Sequence, residues 1–126
     1  MKSKISTSIP NSVLLIMDLV IGVIPETLAE ELVAVTPSCI AIGTVSESDG
    51  EVEIELTDET PIFDGSMQRV VETRLQTPSR EVSVYSIHWD KLLTINVKHE
   101  IAGVQVWVNH LTEPDRIVVV VRCSEV

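Results

Sequence analysis

Apolar and polar residues alternate without a break over residues 51–56, where Val52, Ile54 and Leu56 face one way and Glu51, Glu53 and Glu55 the other. A period of two belongs to a β-strand, whose successive side chains point to opposite faces. The pattern therefore predicts a strand with one core face and one face of three carboxylates. Val104, Val106 and Val108 alternate in the same way with Gln105, Trp107 and Asn109. Residues 117–121 form a continuous apolar run, as expected of a strand covered on both faces. Residues 13–21 are apolar except for Asp18, so that strand is either central or the place where a buried polar group has a task.

Weaker patterns predict further strands over 39–45, 67–75, 81–87 and 92–98, which makes eight. Pro25, the early Glu26 and the Leu28–Leu32 spacing predict one short helix over 25–33, because proline suits a first helical position and early acids suit the helix dipole. Ser48-Asp49-Gly50 between two β-branched runs reads as a hairpin turn joining 39–45 to 51–56. The strand containing Trp107 is expected to pair back on 92–98 through residues 99–103. Residues 1–12 hold Ser, Thr, Lys and Pro10, and read as a mobile lead-in to one domain over 13–126. Closely spaced strands with a single helix predict a mainly β fold, a single-domain antiparallel β-sandwich.

Composition strengthens the β reading: among 126 residues there are twenty Val and thirteen Ile, which lose rotamer freedom in helices and pack well on sheets. Charge adds something different. From Ile5 to Gln68 there are twelve acids and no Lys, Arg or His, while residues 69–126 carry seven of each sign. With Lys2 and Lys4 this makes the formal −10. A one-signed field attracts basic partners and repels nucleic acid and anionic lipid, so neither of the latter is expected as a ligand. The apolar run 13–24 behind Lys2 and Lys4 is interrupted by Asp18 and preceded by Pro10, and it is shorter than the ~20 residues of a membrane span. A cytoplasmic protein is expected.

Candidate chemistry is sparse. Glu47, Asp49, Glu51, Glu53, Glu55, Asp58 and Glu59 place seven acids within thirteen residues, with no base nearby in sequence to relieve their repulsion. Two readings stand: a face that binds a basic partner, or a solvated face relieved across the sheet, with Arg69, Arg74 and Arg80 as possible sources. Strand glutamates diverge and match no calcium loop. His88, His99 and His110 fall at predicted turns with no metal spacing, and Cys39 and Cys123 lack a Cys-x-x-Cys arrangement. Two buried free thiols are expected, with a disulfide as the alternative. No metal, no cofactor and no catalytic set is predicted, hence no enzyme. Trp107, flanked by Gln105 and Asn109 on a polar face, is a candidate interface anchor.

The order of elements resembles that of the competence-associated inhibitors of the DNA-entry nuclease, a family of small bacterial β-sandwich proteins. The likeness runs through 13–21, the proline-marked 25–33, Val52 to Leu56, Val84-Tyr85-Ser86-Ile87, the strand of Leu93 and Val104-Gln105-Val106-Trp107. It departs after Pro25, where Glu26-Thr27-Leu28 stands in place of the family's tryptophan. The resemblance implies an acidic protein that plugs a basic nuclease cleft. The expected function is thus a small acidic binding module that inhibits a basic protein such as a nuclease or toxin, with Glu51, Glu53, Glu55, Asp58, Glu59 and Trp107 contacting it. The alternative is an accessory subunit that forms homo-oligomers through the β face of Trp107.

Overall fold

In the computed structural model, residues 2–20, 23–24, 32–59 and 65–123 are described, Cys123 by its backbone. Among the described residues, ten strands form two five-stranded sheets. In chain order they are β1 (Lys2–Thr7), β2 (Val13–Met17), β3 (Val33–Thr36), β4 (Cys39–Gly43), β5 (Val52–Thr57), β6 (Gln68–Gln76), β7 (Glu81–Ser86), β8 (Lys91–Asn96), β9 (Ile101–Val108) and β10 (Arg116–Cys123). The first sheet runs β1-β5-β10-β9-β6 and the second β3-β4-β2-β7-β8. The mainly β sandwich predicted from the pattern is present, and every pairing but one among the described residues is antiparallel.

Alternation sorts the core. Val52, Ile54, Leu56, Val104, Val106, Val108, Ile117, Val119 and Val121 of the first sheet meet Leu14, Ile16, Ile40, Ile42, Val82, Val84 and Ile95 of the second between the layers. The apolar run of β10 is covered on both faces, as its pattern predicts. Val118 and Val120 point outward, yet Met67 and the half-buried Trp107 pack on them. β2 is likewise covered on both sides, with Leu15 and Met17 grouped with Cys39, Ala41 and Tyr85 on the outer face of the second sheet.

Four expectations need correction. Residues 2–7 of the expected lead-in form β1, which pairs antiparallel with β5 from Lys2↔Thr57 to Thr7↔Val52. Ile5 is the segment's one apolar residue, so no hydrophobic pattern marks it, and the strand is fixed by its partner. Val33, expected to end a helix, instead begins β3; residues 25–31 of that helix lie outside the described residues. β4 and β5 are not a hairpin, because they belong to different sheets. Residues 44–51 carry the chain across one end of the sandwich, with Val45 N–H donating to Pro114 O (3.0 Å) and Glu53 N–H to Asp115 O (2.8 Å). β5 then lies parallel to β10, the pairing that requires a crossover rather than a tight turn. β9 likewise does not pair with β8: residues 97–100 switch sheets and β9 joins β6 and β10.

Candidate functional site

Strand direction decides where the acidic residues end up. Arg116↔Glu53, Thr7↔Val52, Val13↔Gly43, Leu14↔Ser86 and Gln68↔Val108 are all terminal or near-terminal pairs, so one end of the sandwich gathers four connections that the described residues cover in full. These are residues 8–12, 44–51, 87–90 and 109–115. They carry Glu47, Asp49, Glu51, Asp90, Glu113 and Asp115, all exposed, and contain no Lys or Arg. Ile87, Trp89 and Leu111 are exposed among them, the latter two at 52% each.

These connections are built rather than loose. Ser46 Oγ accepts from Ser48 N–H and opens a 3₁₀ turn over Glu47–Asp49, which closes at Gly50 with φ 137°, a backbone region suited to glycine. In the β9–β10 turn His110 Nδ1 accepts from the N–H groups of Thr112 (3.3 Å) and Glu113 (3.1 Å), and Asn109 Oδ1 from those of Asp115 and Arg116. In the β7–β8 turn Ser86 Oγ accepts from His88 N–H and Asp90 N–H. Trp89 there has φ 66°, uncommon for a bulky side chain, and stands edge-on to Tyr85 with ring centroids 6.3 Å apart.

The bases nearest this end are engaged. Lys91 Nζ donates to Glu81 Oε1 at 2.7 Å, a hydrogen bond that holds the Glu81 carboxyl below its usual range and raises Lys91. Arg116 Nε lies 3.8 Å from Glu53.

The expected acidic face is divided. Glu51 is exposed at the loop end. Glu53 is half-buried between Lys4 and Arg116, and Glu55, only 9% exposed, has Lys2 Nζ at 3.8 Å. Relief of the strand glutamates therefore comes from β1 and β10, while Arg69, one of the bases considered for it, pairs with Glu72 at 2.9 Å on the far edge of the sheet. Asp58 and Glu59 are exposed at the opposite end, seven and eight residues and roughly 25 Å of strand from Glu51. Trp107 does share the outer face with Gln105, to which its indole N–H donates at 3.2 Å, but its ring is packed on Val118 and Val120. The sequence reading missed Asp90, Glu113 and Asp115, because they are distant in sequence from the acidic run and only strand direction joins them to it.

Other candidates resolve simply. Cys39 is a free buried thiol whose pKa is pushed up to about 12 by burial, against a smaller opposing effect of its hydrogen bond to the Ile16 backbone. His88 and His110 sit in turns at the acidic end and His99 at the other. Among the described residues no three His, Cys, Asp or Glu side chains converge to hold a metal, and no helix is long and apolar enough to cross a membrane.

No family model and no curated protein sequence matches the chain. Among solved structures it is similar to ComJ of Bacillus subtilis, described as the inhibitor of the DNA-degrading activity of NucA. That alignment has a TM-score of 0.69 over 97% of this chain and 96% of ComJ, at 11% identity. The likeness is therefore one of architecture, and it extends over the whole fold.

Proposed function

We propose that this chain is an inhibitory binding module whose acidic loop end docks on a basic protein of the nuclease kind. The observation that carries the reading is the gathering of Glu47, Asp49, Glu51, Asp90, Glu113 and Asp115 on four connections without a Lys or Arg, around exposed Trp89 and Leu111. A cleft that binds phosphodiesters is lined with Lys and Arg, so carboxylates gathered at one end of the sandwich occupy phosphate positions and exclude the substrate. The charges steer the encounter and the apolar residues anchor it, since rim charges act mainly on the association rate and desolvated aromatics on dissociation. The architectural likeness to an inhibitor of DNA degradation supports the same reading. Glu53 and Glu55 serve this surface indirectly, by holding β1 and β10 beside β5. Asp58 and Glu59 lie outside it, and Trp107 supports the outer face of the sheet.

The test is kinetic. Against a basic nuclease that the chain inhibits, the variant Glu47→Gln/Asp49→Asn/Glu51→Gln is expected to associate about tenfold more slowly at low salt and to lose most of its salt dependence. The variant Asp58→Asn/Glu59→Gln is expected to match the parent. Equal rates for the first variant, or the loss appearing in the second, would place docking elsewhere.

A further inference from the structure

β6 is one of the two edge strands of the first sheet, with β1 at the opposite edge. Thr77 N–H donates to Glu100 O (2.7 Å), on the β9 side, whereas Gln76 N–H donates to Pro37 O (3.0 Å), on the open side. Alternation along an antiparallel strand then turns the backbone groups of Thr73 and Leu75 toward β9 and those of Glu72 and Arg74 toward the open flank. A register shift between Arg69 and Val71 breaks the edge on one side, and the Pro37 contact closes it on the other. Bulges and covering loops are the usual protection of a sheet edge. Among the described residues, what they leave without a partner is the backbone N–H and C=O of Glu72 and Arg74.

We propose that this remnant edge pairs with the same edge of a second copy of the chain, antiparallel about a two-fold axis at Thr73. In that register Glu72 of each chain lies opposite Arg74 of the other, and the four open backbone groups per chain form four hydrogen bonds between the copies. The side chains agree with the backbone. Glu72 and Arg74 both project from the outer face, in register with Gln105 and Gly103. Arg74 has no acidic partner among the described residues, and its guanidinium meets the partner's Glu72 carboxylate across the axis. On the same flank Val35 of β3 is 46% exposed and Val70 half-buried, apolar surface that a second copy covers. The contact is small, so the dimer is weak and reversible. It leaves the acidic loop end free, and it stands or falls independently of the docking proposed there.

Sedimentation and amide exchange at about 150 mM salt, where the Debye length of ~8 Å screens the chains' net repulsion, test it across concentrations up to the millimolar range. The expected result is a reversible dimer in which the Glu72 and Arg74 amides gain protection as concentration rises, while the Thr73 and Leu75 amides do not change. Arg74→Glu replaces two attractive cross-strand pairs by two repulsive ones and is expected to weaken association about tenfold or more. The double variant Glu72→Arg/Arg74→Glu restores opposite charges across the axis while giving up the Arg69–Glu72 pair within each chain, and is expected to recover most of the lost association, which separates lost pairing from lost folding. A monomer at every concentration, a dimer indifferent to Arg74→Glu, or Glu72 and Arg74 amides that stay unprotected in the dimer would each overturn the proposal.

Discussion

Asp18 is the polar interruption of an otherwise apolar segment, and its neighbours explain why it is tolerated. Only 2% exposed, it accepts from Val20 N–H (3.0 Å) on one oxygen and from Ser79 N–H (2.7 Å) and Ser79 Oγ (2.6 Å) on the other. It thereby ties the end of β2 to the β6–β7 turn, sixty-one residues away in sequence. Asp18→Ala leaves those donors without an acceptor, and an unsatisfied buried group costs about 1–3 kcal/mol. Urea unfolding is expected to show a loss of that size with an unchanged m-value, and Ser79→Ala a smaller one. That Asp18 interrupts an apolar segment, with a buried task as one of two readings, was legible in the sequence. Its partner was not, since nothing in the Pro78-Ser79 turn marks it as the neighbour of Asp18.

At the scale of elements, alternation located the strands it could see and misjudged how they join. β5 was legible because Val52, Ile54 and Leu56 alternate with acids; its neighbours were not, because pairing depends on contacts between distant segments. β1 shows the same limit from the other side. A segment with one apolar residue becomes a strand because β5 offers an open edge and carboxylates opposite Lys2 and Lys4. Lys4→Glu places a third carboxylate beside Glu53 and Glu55 in the Lys4↔Glu55 register, and is expected to destabilise the fold by about 1 kcal/mol, Lys4 being half-exposed. The penalty should shrink in 0.5 M salt, by roughly the proportion that screening removes. A penalty of the same size for Lys4→Gln would show that the lysine stem, rather than its charge, holds the strand.

For the whole molecule, the chain's charge asymmetry along the sequence becomes an asymmetry along the long axis of the sandwich. The acids of the loop end face solvent on connections that hold no Lys or Arg, while Arg74, Arg80, Lys98 and Arg122 lie toward the other end with Asp58, Glu59 and Glu100. Concentrated like charge strains the folded state, so stability is expected to rise by up to about 1 kcal/mol as salt increases from ~10 to ~150 mM and the Debye length falls from ~30 to ~8 Å. In Glu47→Gln/Asp49→Asn/Glu51→Gln most of that rise should vanish. Thermal melts of both proteins at the two salt levels measure it directly, and an unchanged rise in the variant would locate the repulsion away from this end.

The sequence alone determined what short-range physics controls: mostly strands, a Val- and Ile-rich core, a strongly acidic composition, and a polar interruption at Asp18 of the apolar segment that holds β2. Those follow from the period of side-chain direction and from transfer of apolar groups out of water, both local properties of the chain. Tertiary structure decided the rest. It sent β4 and β5 to different sheets, set β5 parallel to β10, recruited Lys2 and Lys4 to Glu55 and Glu53, and gathered Asp90, Glu113 and Asp115 beside Glu47, Asp49 and Glu51. Pairing and charge neutralisation act through space between residues far apart in the chain, so no local pattern could assign them.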